Sequence, residues 1–161
     1  MIRNVSFLAA TLALVFSGFA VGQQTRANRA NAPRRQVIQP TNYRPSPAPV
    51  SPAILVGDTL YLSGSTGGDP ATGELVKGGF EIQMRQIMSN VQTVLKTADM
   101  DLTDVVAVTG YLVDMSEYAR FNEIYREYFK VQPLPTRSTV AVKELARGAL
   151  IELTMTAVRS R

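Results

Sequence analysis

The chain has 161 residues, with 17 Lys+Arg, 13 Asp+Glu and neither Cys nor His. That is enough for one modest domain, held by its own core or by self-association and without a disulfide staple. Arg3, Arg26, Arg29, Arg34, Arg35 and Arg44 precede residue 50 and no acid does, so the net charge of +4 becomes −2 over the remainder, 11 basic residues against 13 acidic. A slightly acidic folded part argues against a nucleic-acid-binding face, and no nucleic-acid partner is expected.

In chain order, Arg3 supplies a positive start and residues 5–19 are apolar apart from Ser6, Thr11, Ser17 and Gly18. Ala20-Val21-Gly22 then offers small residues at the positions a signal peptidase reads. The pattern predicts a signal peptide over 1–22, cleaved before Gln23, and a secreted or periplasmic protein. The apolar run is shorter than the roughly 20 residues of a spanning helix, so no stable membrane span is expected after cleavage. Residues 23–50 carry Pro33, Pro40, Pro45, Pro47 and Pro49 among Arg, Asn and Ala. They read as an Arg/Pro-rich linker, solvated, with one short strand at 35–38. The folded domain is expected over 51–161.

Within it, 53–56 and 59–63 are apolar runs separated by Gly57-Asp58, a hairpin signal. Residues 64–79 hold six glycines and Pro70 and read as a loop. Over 80–98, Met84, Ile87, Met88, Val91, Leu95 and Ala98 recur at three- and four-residue spacing, which predicts a helix with its methionines in the core and Gln83 off the apolar stripe. Residues 101–104 are a polar break, and 105–113 a β-branched and aromatic strand. Asp114-Met115-Ser116-Glu117 has the spacing of a capping box and opens a second helix, which ends near Lys130 ahead of Pro133 and Pro135. Strands follow at 138–142 and 150–158 around an Arg147-Gly148 turn. The order ββ, α, β, α, ββ is that of an α+β sandwich, a mixed sheet with two helices on one face. The other face then needs a cover, which self-association supplies most simply.

The candidate for chemistry is Leu134-Pro135-Thr136-Arg137-Ser138-Thr139, one arginine in a proline-bounded turn that opens a strand. A guanidinium fixed on rigid backbone grips both oxygens of a small carboxylate. Upstream, Tyr61-Leu62-Ser63-Gly64 is a strand ending in a hydroxyl and a glycine.

These segments, with Asp69-Pro70-Ala71-Thr72-Gly73-Glu74-Leu75-Val76, Asn122-Glu123-Ile124-Tyr125, Tyr128-Phe129 and Ile151-Glu152-Leu153, resemble the Rid (YjgF-type) family of reactive-intermediate imine/enamine deaminases. The resemblance implies a chorismate-mutase-like fold, a homotrimer with clefts between subunits, and hydrolysis of 2-imino or enamine acids to 2-oxo acids and ammonia without metal or organic cofactor. It implies that Arg137 binds the substrate carboxylate, with Ser63, Gly64, Asn122, Tyr125 and Thr139 lining the cleft. It further implies a water-orienting glutamate two residues after Glu152, where this chain has Thr154, so Thr154 is taken with Arg137 as catalytic. A tyrosine implied at residue 50 is Val50 here. Glu152 shares a face with Thr154 by strand alternation and is read as an exposed strand residue, with reach into the cleft as the alternative. The competing function is a non-catalytic trimer, chaperone-like or binding small carboxylates, which keeps the arginine and needs no base.

Overall fold

The computed structural model describes residues 34–159; the expected signal segment lies outside them. The strands are β1 Arg35–Ile38, β2 Ala53–Val56, β3 Thr59–Ser65, β4 Val105–Leu112, β5 Thr136–Ala141 and β6 Ile151–Val158. Two helices, α1 Phe80–Thr97 and α2 Tyr118–Tyr128, complete the regular structure. The strands form one sheet in the order β1-β2-β3-β6-β4-β5. β4 and β5 run parallel, joined through α2, and the other neighbours are antiparallel. This is the expected α+β sandwich.

The hairpin closes at Val56 opposite Thr59, with Gly57 at φ +59° supplying the left-handed turn residue that a two-residue connection needs. The sheet begins earlier than the expected boundary at residue 51. β1 pairs along its whole length with β2 and buries Ile38, and Tyr43 packs on the core while its hydroxyl donates to the Asn90 carbonyl. The strand itself is the one expected at 35–38; it was the proline and arginine content around it that made the stretch look like a linker outside the domain. Its isolated apolar side chains, Ile38 and Tyr43, tie it to the domain.

Strand alternation divides the sheet. Leu60, Leu62, Val108, Leu112, Leu153 and Met155 point to one face and are buried against Met84, Ile87, Met88 and Leu95 of α1 and Phe121 and Ile124 of α2. The methionines are core filler as expected. Gln83 is not off the stripe: it is 3% exposed. Its Oε1 accepts the Leu150 N–H at 2.8 Å, which satisfies the buried amide oxygen and ties α1 to the start of β6. The opposite face has no helical cover among the described residues and leaves Val37, Tyr61 and Val140 exposed at 55%, 53% and 43%.

The polar break proves to be a capped turn. Asp101 accepts from the Thr103 N–H at 2.7 Å, and Asp104 accepts from the Asp101 N–H at 3.0 Å. At the second helix Asp114 caps a short 3-10 turn through the Ser116 N–H, and α2 proper starts at Tyr118.

On the outer surface, Arg85 makes paired bonds to Glu127 at 2.7 and 3.0 Å and a third to Glu81 at 2.9 Å. Arg120 bonds Glu81 and Glu123. The network bolts α1 to α2. Hydrogen bonds from Arg120 and then Arg85 hold Glu81 below the ordinary glutamate value of 4.5, and Arg85 does the same for Glu127. Because both folded values are depressed, the network stabilises the fold above pH 4.5, and this is lost as the pH falls through the folded values. These groups are exposed, so the effect is small and screened by salt. Thermal melts from neutral to acidic pH should show a steeper fall in wild type below that point than in Glu81→Gln, and the difference should shrink in high salt.

Candidate active site

Arg137 sits on β5 beside Val108 of β4, on the helix-covered face. α2 passes over it with Tyr118, Phe121, Asn122 and Tyr125 along one side, the i, i+3, i+4, i+7 spacing of a helix face. The guanidinium carbon lies 4.6 Å from the Tyr125 ring centre, 4.8 Å from Phe121 and 5.9 Å from Tyr118. Its Nη2 donates to Asn122 Oδ1 at 2.5 Å. Ring faces attract the cation and Asn122 sets its rotation, while no carboxylate pairs with it among the described residues. The rest of the donor fork is left for a ligand. Gly110 leaves room for the ring: a Cβ there would stand 3.3 Å from the Phe121 ring tip and press on it by a few tenths of an ångström.

Thr139 shares the helix-covered face two residues on, opposite Gly110. Its hydroxyl and that of Tyr125 are buried and have no hydrogen-bond partner in the single chain. Buried hydroxyls are ordinarily paired, so these two offer hydrogen bonds on the arginine's side of the strand to a water, a ligand or another chain. Burial pushes the Tyr125 phenol up to about 12, with the Arg137 charge opposing that rise. It is a neutral hydrogen-bonding group at physiological pH.

A second cluster lies on the open face. β3 bulges between Leu62 and Ser65 where it meets β6, and this re-aims Ser63 and Gly64. Ser63 Oγ donates to the Ser51 carbonyl at 2.6 Å. A Cβ on Gly64 would fall 2.0 Å from Glu152 Oε1 and 2.8 Å from its Cδ, so the Glu152 carboxylate lies directly on the Gly64 backbone. Glu152 is thus half-buried rather than an exposed strand residue. It has no hydrogen-bond or ion-pair partner among the described residues. The readable signal was the pairing of a strand-end glycine with a strand acid, because a glycine in a strand often marks close approach by another group. Thr154 follows on the same face, opposite Thr109. Val50 is 60% exposed. Tyr43, from the expected linker, lines a small cavity of about 100 Å³ on the helix-covered side of β3, between Ser63, Gly64 and Ser65 and the α1 residues Asn90, Val91 and Val94.

The predicted site residues therefore fall into two groups. Asn122, Tyr125, Arg137 and Thr139 come together on the helix side of edge strand β5. Ser63, Gly64 and Thr154, joined by Glu152, lie on the other face. β6 and β4 separate β3 from β5, three strand spacings or roughly 14 Å. One chain does not bring the halves into contact.

Comparison with known proteins gives a consistent picture. A family model described as Endoribonuclease L-PSP matches residues 41–159. A RutC family protein of Sulfurisphaera tokodaii is 45% identical over 114 residues, 70% of this chain and 90% of its own. The human 2-iminobutanoate/2-iminopropanoate deaminase is 38% identical over 125 residues, 78% of this chain and 90% of its own. A solved Yersinia pestis protein of the Rid family superposes with a TM-score of 0.74 at 35% identity, covering 78% of this chain and all of that one.

The buried phenols give a test of the helix-side half. Tyr43 and Tyr125 both rise from 10.0 to about 12, burial being the main cause in each. The unfolded chain loses these protons first, so the stabilisation is complete below pH 10 and lost as the pH climbs towards 12. Arg137→Ala removes a charge that favours the phenolate. In an alkaline absorbance titration its Tyr125 should ionise later than in wild type.

Proposed function

Since the chain belongs to the Rid (YjgF-type) family, we propose that it hydrolyses reactive 2-imino and enamine acids to 2-oxo acids and ammonia, in clefts between the subunits of a homotrimer. The observation that carries this reading is the division of the site. An arginine fork with two orphan hydroxyls lies on one face at the sheet edge, and a carboxylate on a glycine lies on the other, so apposing two copies completes what each lacks. The exposed Val37, Tyr61 and Val140 of the open face give such an assembly an apolar surface to bury. The naming of relatives as 2-iminobutanoate/2-iminopropanoate deaminases supports the reaction class. In this reading residues 1–22 direct the protein out of the cytoplasm.

The chemistry asks little of the protein. Water adds to the imine carbon, the nitrogen takes up protons, and the tetrahedral adduct releases ammonia to leave the 2-oxo acid. Arg137 grips the substrate carboxylate through its free donors and thereby fixes the imine carbon, which replaces a bimolecular search with a positioned encounter. Glu152 of the adjoining copy orients the water and takes its proton. It suits this better than Thr154, since a carboxylate is a far stronger base than a hydroxyl and this one has no competing partner. Thr154, one pair further along the same face, holds the water from the side.

Imines generated in situ by an amino-acid oxidase and trapped as semicarbazones provide the assay. Arg137→Ala should remove the acceleration, and Glu152→Gln should lower it by about 100- to 10,000-fold, with Thr154→Val costing much less. Both Arg137→Ala and Glu152→Gln keep the opposite half intact. Unfolding and refolding them together should therefore restore about a quarter of the clefts. No recovery on mixing would show that the two halves do not meet between copies. No acceleration by wild type, with 2-oxobutanoate binding that disappears in Arg137→Ala, would make the protein a carboxylate binder instead.

A further inference from the structure

A third feature lies at the Gly64 end of β3, reaching Asn90 of α1, and is used by none of the chemistry above. A cleft of about 550 Å³ opens next to Gly64, between the segment around Arg44, the loop through Asp69 and Gly73, and the turn at Arg147. Two arginines line it. Arg44 Nη1 donates to the Thr72 carbonyl at 3.2 Å, and Arg147 Nη1 donates to the neighbouring Gly73 carbonyl, with its Nη2 3.3 Å from Thr66 Oγ1. The two guanidinium groups thus converge on adjacent peptide carbonyls.

Neither has a carboxylate partner among the described residues, whereas Arg85 and Arg120 on the helix surface are both ion-paired. Asp69, which also borders the cleft, does not supply one. Its Oδ1 is taken by the Ala71 and Thr72 N–H groups and the Thr72 hydroxyl. Glu74 stands exposed at the rim. Arg147 is held at φ +61°, a left-handed conformation that a residue with a Cβ rarely adopts. Such outliers persist where the surroundings over-determine them, and they concentrate at functional sites. Size points the same way. The methyl or ethyl group of a small imino acid would leave most of the volume empty, while its range is that of pockets that enclose whole small molecules.

We propose that this cleft is a subsite for a second acidic group on the substrate, gripped by Arg44 and Arg147, so that 2-imino dicarboxylic acids are the preferred substrate class. The inference rests on the deaminase reading for its first carboxylate and imine carbon. The α-carboxylate lies on Arg137 of one copy and the imine beside Glu152 and Gly64 of the other. From there the side chain passes Gly64 into the cleft, where two planar forks meet its terminal carboxylate. The balance is that of the parent reaction: one water in, one ammonia out, and the distal carboxylate unchanged.

The test compares 2-iminoglutarate, made by glutamate oxidase, with 2-iminobutanoate, made by a general amino-acid oxidase. The purified protein should show kcat/KM at least about tenfold higher for the dicarboxylate. That ratio should fall towards one in Arg44→Gln and in Arg147→Gly, the second chosen because glycine accepts the left-handed backbone. Melting curves confirm that both variants are folded. A ratio near one in wild type, or one that neither variant alters, overturns the subsite while leaving the deaminase standing. If neither imine is hydrolysed faster than in buffer, the deaminase reading falls, and calorimetry decides the subsite alone. Tighter binding of 2-oxoglutarate than of 2-oxobutanoate, lost in Arg44→Gln, sustains it, and equal binding overturns it.

Discussion

In a pleated strand, successive side chains leave on opposite faces, and in this sheet that alternation separates two chemistries. On β5 it sends Arg137 and Thr139 towards α2. On β6 it sends Ile151, Leu153 and Met155 into the core and leaves Glu152 and Thr154 facing away from the helices. The core fixes the register, since a slip of one residue would expose every buried side chain of β6. The register in turn puts Glu152 and Arg137, the proposed base and carboxylate grip, on opposite faces of the sheet. Burying the core of one chain therefore leaves these two groups apart within that chain, which is why the proposed site is built between copies.

α2 serves both core and site through one face. Phe121, Ile124 and Tyr125 are buried, and the rings of Phe121 and Tyr125 that seal the core also form the floor on which the Arg137 guanidinium lies. Cation–ring attraction of this kind contributes about 0.5 kcal/mol when exposed and about 2 when desolvated. The half-buried site therefore holds the arginine in place without neutralising it. A carboxylate partner would hold it more tightly and also occupy the donors that a substrate needs. Using ring faces and the amide of Asn122 keeps the charge available.

Much of this was readable from the residues. The helix over 80–97, the Gly57-Asp58 hairpin and the arginine at the mouth of β5 all follow from periodicity and turn chemistry, because each is decided locally. Three features were not. Gln83 is polar and lies in the core because its partner, the Leu150 N–H, is 67 residues away, and no local pattern carries that. The strand at 35–38 was read from the residues, but its place in the domain's sheet was not, because the prolines and arginines around it dominate the composition and its pairing with β2 depends on backbone. Glu152 looked like an ordinary solvated strand acid, and only the absence of a Cβ at Gly64, on another strand, lets its carboxylate settle there.

That last contact bears on what the site does. A carboxylate makes a useful base when it is accessible and not already paired with a cation. The glutamates with a described side-chain partner, Glu81, Glu123 and Glu127, are all bound into the arginine network on the helices. Glu152 is kept apart from that network by the whole thickness of the sheet, against a backbone that offers it no competing charge. In the proposed reaction the imine carbon is already electrophilic, so positioning a water and accepting one proton are the steps that need a protein group. The chain has neither His nor Cys to serve, which leaves a strand carboxylate, positioned by a glycine, as the group whose chemistry fits.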